Sequence, residues 1–145
     1  MNNKILVVAA HPDDEVLGCG GTIVRHLQEG DHVSIVFMTN GESSRDSSNL
    51  DDITCRNKDC EEALKVLGIK SVMHFDFPDN MMDQVPLLKV TKSIEIAIDK
   101  FKPSIVYTHF SDDLNVDHRI THQAVMTACR PQSSCPVKSI FCFEV

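Results

Sequence analysis

The 145-residue chain has the size of one ordinary domain, and its 42% hydrophobic and 24% charged residues exclude a membrane-embedded or wholly disordered class. A net charge of −7 excludes a protein that tracks nucleic-acid phosphates, because such a surface needs a surplus of Lys and Arg. The six cysteines, Cys19, Cys55, Cys60, Cys129, Cys135 and Cys142, form no C-x-x-C knuckle, so reduced thiols are expected.

In chain order, Met1-Asn2-Asn3-Lys4 precedes only six apolar residues before His11, which is no signal peptide, and no later stretch reaches the length of a bilayer span. A cytoplasmic location with no transmembrane segment is expected. Residues 4–10 form a continuous apolar run rich in branched side chains, the pattern of a strand covered on both faces. Residues 15–29 carry Val16, Leu17, Ile23, Val24 and Leu27 at helical spacing, and Gly30 supplies a stop. A second strand is read at 32–39, followed by a polar stretch, 40–52, with the composition of a functional loop. A helix over 53–67 ends at Gly68, and a strand over 71–77 closes on Pro78-Asp79-Asn80. A helix from 85 to 101, a strand at 104–108, a helix at 117–129 and a strand at 137–143 complete the pattern.

This β–α alternation predicts an α/β fold, a Rossmann-like three-layer sandwich with a mainly parallel sheet. Ligands of such sheets sit at the carboxyl ends of the strands. Without internal repeats or a linker, residues 1–145 read as a single domain. The chain ends at Phe143-Glu144-Val145 directly after a strand, which fits a domain lacking its C-terminal part as well as a complete one.

Two constellations stand at strand-to-helix junctions. The first, Ala10-His11-Pro12-Asp13-Asp14-Glu15, gathers three carboxylates and an imidazole, and Pro12 keeps His11 extended so that the chain turns sharply into the helix. Helix-start acids cap free N–H groups, which accounts for one of the three. A neutral imidazole beside a carboxylate also suits a zinc ion, which in catalytic sites takes three protein ligands and keeps one position open. The second constellation runs from Thr108 to Arg119 and holds His109, Asp112, Asp113, Asn115, Asp117 and His118. His26, His32, His74 and His122 receive no role, since a lone histidine is structural more often than not.

The blocks A-H-P-D-D-E and D-L-N-V-D-H resemble the two signature motifs of the PIG-L/LmbE-like N-acetylglucosaminyl deacetylases. Thr39-Asn40-Gly41-Glu42, Arg56 with Asp59 and Ala63, Leu67-Gly68 and Pro78-Asp79 fall between them in the family's order. The resemblance implies that His11, Asp14 and His118 ligate Zn2+ and that Asp13 is the general base, taking a proton from water and returning it to the departing amine. It implies substrate contacts from Arg56, and the loop position adds Asn40 and Arg45. Asn115 stands where several members carry a histidine, so Asn115 or His109 is expected to polarise the acetyl carbonyl. The implied substrate is an N-acetylated amino sugar of GlcNAc type in a glycoconjugate, and homo-oligomers occur in the family.

Two other readings compete. Gly18, Gly20 and Gly21 could suggest a nucleotide site, but they lie inside a helical stretch and match neither phosphate-binding spacing, so close helix–strand packing explains them better. A domain that binds metal without turnover, or one protomer of a larger assembly, fits the abrupt end of the chain.

Overall fold

The computed structural model describes residues 2–41 and 50–145, and the side chains of the second stretch from residue 58 onward. Five strands, β1 (Lys4–Ala9), β2 (His32–Thr39), β3 (Ser71–Phe77), β4 (Ile105–His109) and β5 (Ser139–Phe143), form one sheet in the order β3-β2-β1-β4-β5. Every pairing is parallel. Among the described residues, four α-helices connect them: α1 (Asp14–Gln28), α2 (Leu50–Leu67), α3 (Leu87–Phe101) and α4 (Val116–Ala128). The expected three-layer α/β architecture is therefore the observed one.

The layers follow from alternation along β1. Ile5, Val7 and Ala9 face α1 and α2, where they meet Cys19, Ile23 and Leu64; Leu6 and Val8 face α3 and α4, where they meet Val90, Ile94, Ala124 and Val125. Both faces are covered, so β1 is apolar throughout its length after Lys4. Each such side chain, fully buried, contributes about 1.5–3 kcal/mol of transfer free energy.

Helix ends are closed as the glycines predict. Gly30 (φ +85°) and Gly68 (φ +82°) take the left-handed conformation just past α1 and α2. Asp31 N–H then donates to the His26 carbonyl, and Ile69 N–H to that of Leu64, which satisfies carbonyls the helix would leave bare. The glycines inside α1 differ from one another. A Cβ on Gly18 would run into the Phe143 ring of β5, so this position carries the close helix–strand approach; at Gly21 nothing lies within 4 Å. The packing explanation holds for the first glycine and not for the last.

Three boundaries depart from expectation. Helix α2 spans Leu50–Leu67, so it includes three residues of the stretch read as loop. Residues Met82–Gln84 form a single 3-10 turn ahead of α3. β5 begins at Ser139, two residues later than the apolar pattern proposed.

Candidate active site

Strand β1 sits between β2 and β4, so the connections leaving β1 and β4 diverge to opposite faces and open a crevice at their carboxyl ends. Both constellations read from the sequence lie there. Thr39, at the end of β2, anchors the turn: its N–H and its hydroxyl both donate to the Ala10 carbonyl, at 2.9 and 3.1 Å.

His11, Asp14 and His118 converge. His11 Nδ1 lies 3.2 Å from Asp14 Oδ2, His118 Nε2 lies 3.3 Å from the same oxygen, and the two ring nitrogens are 3.3 Å apart. The three atoms make a nearly equilateral triangle. A tetrahedral zinc with donors at about 2.0–2.1 Å has donor–donor edges of about 3.3–3.4 Å, so the triangle has the dimensions of one face of that tetrahedron. Two imidazole nitrogens turned toward each other beside a carboxylate are a poor arrangement without a shared cation, and these donors fit a divalent metal.

The other ring nitrogens are held by carboxylates. His11 Nε2 is 3.1 Å from Asp79 Oδ1 and 3.1 Å from Asp117 Oδ2; His118 Nδ1 is 3.0 Å from Asp113 Oδ2. With protons on those outer nitrogens, the inner pair is presented as lone pairs toward one point. Asp117 has no solvent exposure and also accepts the N–H groups of Asn80 (2.6 Å) and Met82 (3.0 Å), which ties the loop after β3 to the ligand set. Asp79 and Asp113 were not singled out as site residues from the sequence. Their signal was positional: each follows a strand of a parallel sheet at its carboxyl end.

The electrostatics favour a cation. Burial alone would lower the pKa of the His11 imidazole, but hydrogen bonds to Asp117 and Asp14 and the charges of Asp14 and Asp79 outweigh it and push the value up to about 10. His118 is raised against the same penalty by Asp14 and Asp113. Burial would raise the Asp14 carboxyl, yet the three surrounding histidines hold it far below the usual carboxylate range.

The remaining candidates occupy distinct places. Asp13 is exposed and forms the N-cap of α1, with its carbonyl accepting from Val16 and Leu17 at 3.0 Å each. His109 is wholly buried, stacked on His118 with ring centroids 3.8 Å apart. Its Nε2 accepts the Ala10 N–H at 2.9 Å and lies 3.3 Å from Asp14 Oδ2, while its Nδ1 meets no partner among the described residues. Asn115 is the N-cap of α4: Oδ1 accepts the Asp117 N–H at 2.8 Å and Nδ2 donates to Asn80 Oδ1 at 3.1 Å. Asn40 donates to Asp76 Oδ1 at 3.0 Å and lines a cleft of about 390 Å3 with Pro12, Cys60, Glu61 and His74. Arg45 lies outside the described residues, as does the side chain of Arg56. A larger hollow of about 660 Å3, between the end of α4 and the start of β5, includes none of these groups.

Comparison with known proteins places the chain among deacetylases of one family. Residues 6–129 match the PIG-L family, described as GlcNAc-PI de-N-acetylase. The chain is 36% identical over 131 residues to the uncharacterized deacetylase YaiS of Escherichia coli, covering 87% of this chain and 68% of that protein. It is 30% identical over 135 residues to the probable N-acetyl-alpha-D-glucosaminyl L-malate deacetylase 2 of Bacillus cereus, covering 88% and 61%. Among solved structures, the N,N'-diacetylchitobiose deacetylase of Pyrococcus horikoshii superposes with a TM-score of 0.76 at 28% identity, covering 88% of this chain and 49% of that one. The chain thus spans about half to two thirds of the length of these relatives. Among the described residues, no helix is long and apolar enough to cross a membrane.

Proposed function

Because this chain belongs to the PIG-L family, we propose that it is a zinc-dependent N-deacetylase that removes acetyl groups from N-acetylated amino sugars of GlcNAc type. The observation that carries the reading is the triangle of His11 Nδ1, Asp14 Oδ2 and His118 Nε2, with edges of 3.2–3.3 Å. Two of the relatives are named for N-acetylated sugar substrates, which supports the substrate class.

A divalent ion bound at this triangle acidifies water and polarises an amide carbonyl. The chain's own residues supply the rest. Asp13, exposed and next in sequence to a ligand, takes the proton from the attacking water and returns it to the departing amine, so that acetate and a free amine leave. Asn115 and His109 are the two groups proposed to act on the carbonyl, and their surroundings divide the task. Asn115 borders solvent and keeps a second Nδ2 hydrogen beyond the one given to Asn80, which suits it to hold the developing oxyanion. His109, whose Nε2 accepts the Ala10 N–H beside Asp14, is proposed to hold the backbone at the start of the motif. Asn40, Arg45 and Arg56 are proposed to meet the remainder of the substrate, Asn40 from the wall of the cleft beside Pro12.

The test is metal content together with acetate release from a panel of N-acetylated sugars, for wild type and Asp13→Asn. About one metal per chain in both proteins, with release abolished only in the variant, is the expected result. Bound metal without turnover in wild type would favour the second reading, a metal-binding domain that needs further chain or a partner. That reading is motivated by the 61–68% of the relatives' length that this chain spans. Absence of metal would overturn both.

A further inference from the structure

Glu15 is a buried carboxyl that the reaction above does not use. It is 1% exposed, follows Asp14 in the first turn of α1, and is not one of the residues around the ligand triangle. Surface acids at a helix start cost little; a fully buried one needs a reason.

The reason lies one residue upstream on the other side of Asp14. Asp13 has φ 149° and ψ −28°, a positive φ that L-residues rarely adopt, in a side chain that is not glycine. Strain of this kind persists only where neighbouring groups hold it. The Asp13 N–H donates to Glu15 Oε2 at 3.1 Å, while the Asp13 carbonyl is fixed by Val16 and Leu17. Both peptide groups that flank Asp13 are therefore held. Asp13 is exposed, while Asp14, the next residue, is buried against the histidines at 3% exposure.

We propose that Glu15 is a positioning residue: by accepting the Asp13 N–H it holds Asp13 in its strained conformation and so keeps the base carboxylate over the metal triangle. The proposal rests on the reading of Asp13 as the base, and the two can fail separately.

The experiment compares wild type, Glu15→Ala, Glu15→Gln and Asp13→Asn for metal content and for kcat and KM of acetate release from N-acetylglucosamine and diacetylchitobiose. Glu15→Ala should keep its metal and its KM within about twofold and lose about 10²-fold in kcat, the cost of misplacing a reacting group by about an ångström. Glu15→Gln, whose amide oxygen still accepts the N–H, should recover most of that loss. Wild-type kcat in Glu15→Ala, or a Gln variant as impaired as the Ala variant, would overturn the positioning role. Full activity in Asp13→Asn would instead overturn the base assignment. A measurement independent of turnover accompanies these: Asp13→Gly should melt at a higher temperature than Asp13→Ala, because only glycine relieves a positive φ. Equal melting temperatures would remove the strain on which the proposal depends.

Discussion

His11 Nε2 lies 3.1 Å from Oδ2 of Asp117, a carboxylate 106 residues away in sequence with no exposure to solvent. Asp117 also receives the N–H groups of Asn80 and Met82, so one side chain fixes the orientation of His11, a proposed ligand, and the path of the loop that carries Asp79. Asp117→Asn keeps the size but places an amide where an imidazole proton and two backbone protons need acceptors. Metal affinity is expected to fall 10–100-fold, the usual cost of removing a carboxylate behind a ligating histidine. Competition with a chelator measures it. An unchanged affinity would mean that Asp79 alone orients His11.

Asn115 invites a separation of two roles, since its oxygen caps α4 and its nitrogen is the proposed oxyanion donor. Asn115→Asp retains the cap oxygen and loses the donor hydrogens; Asn115→Ala loses both. The Asp variant should keep wild-type stability within a few tenths of a kcal/mol yet lose turnover about 10²-fold, and the Ala variant should also lose about 1 kcal/mol of stability. Denaturant melts and acetate release read the two quantities. Turnover preserved in Asn115→Asp would confine the residue to capping.

These two residues show what could and could not be read in advance. Periodicity and glycine placement sufficed for all five strands and four helices, because alternation of buried runs with amphipathic stretches is a local property. The grouping of His11, Asp14 and His118 was also legible, since His11 and Asp14 are close in sequence and His118 belongs to a recognisable second block. The carboxylates behind the ligands were not, because Asp79 and Asp117 meet His11 only once three strands have aligned their carboxyl ends. Asn115 shows the opposite difficulty. A cap residue and a catalytic amide have the same signature, a polar side chain just ahead of a helix, and the sequence does not distinguish them. The site contributions of residues 42–49 lie outside the described structure.

Two glycines of α1 give opposite expectations for the same substitution. At Gly18 an added methyl meets the Phe143 ring, on an edge strand whose packing against α1 depends on that approach. Gly18→Ala should destabilise the fold by about 1–3 kcal/mol. At Gly21 the space is open and the backbone helical, so Gly21→Ala should stabilise by up to about 1 kcal/mol through helix propensity. Urea unfolding of the pair checks both, and equal effects at the two positions would contradict the packing described here.

The last prediction concerns the end of the sheet opposite the metal triangle, where Asp31 joins three elements. Its carboxylate accepts the Asn3 N–H at 2.6 Å and faces His26 Nδ1 at 2.7 Å, and His26 Nε2 is 3.0 Å from the Tyr107 hydroxyl. Burial would raise the Asp31 pKa, but the bonds from His26 and Asn3 prevail and lower it. A carboxyl that is more acidic folded than unfolded adds stability above its unfolded pKa of about 3.9, and that stability is lost as the pH falls through the folded value. Wild type should therefore exceed Asp31→Asn by about 1–2 kcal/mol, the net worth of hydrogen bonds to a charged group near the surface, at any pH above about 5. Below about pH 4 the gap between the two unfolding curves should begin to narrow, and it should close once the pH is below the lowered folded value, where the wild-type carboxyl is protonated and offers little more than the amide does. A gap that stayed constant from pH 7 to pH 3 would show that the asparagine loses packing rather than charge, and would remove Asp31 from the acid sensitivity of this fold.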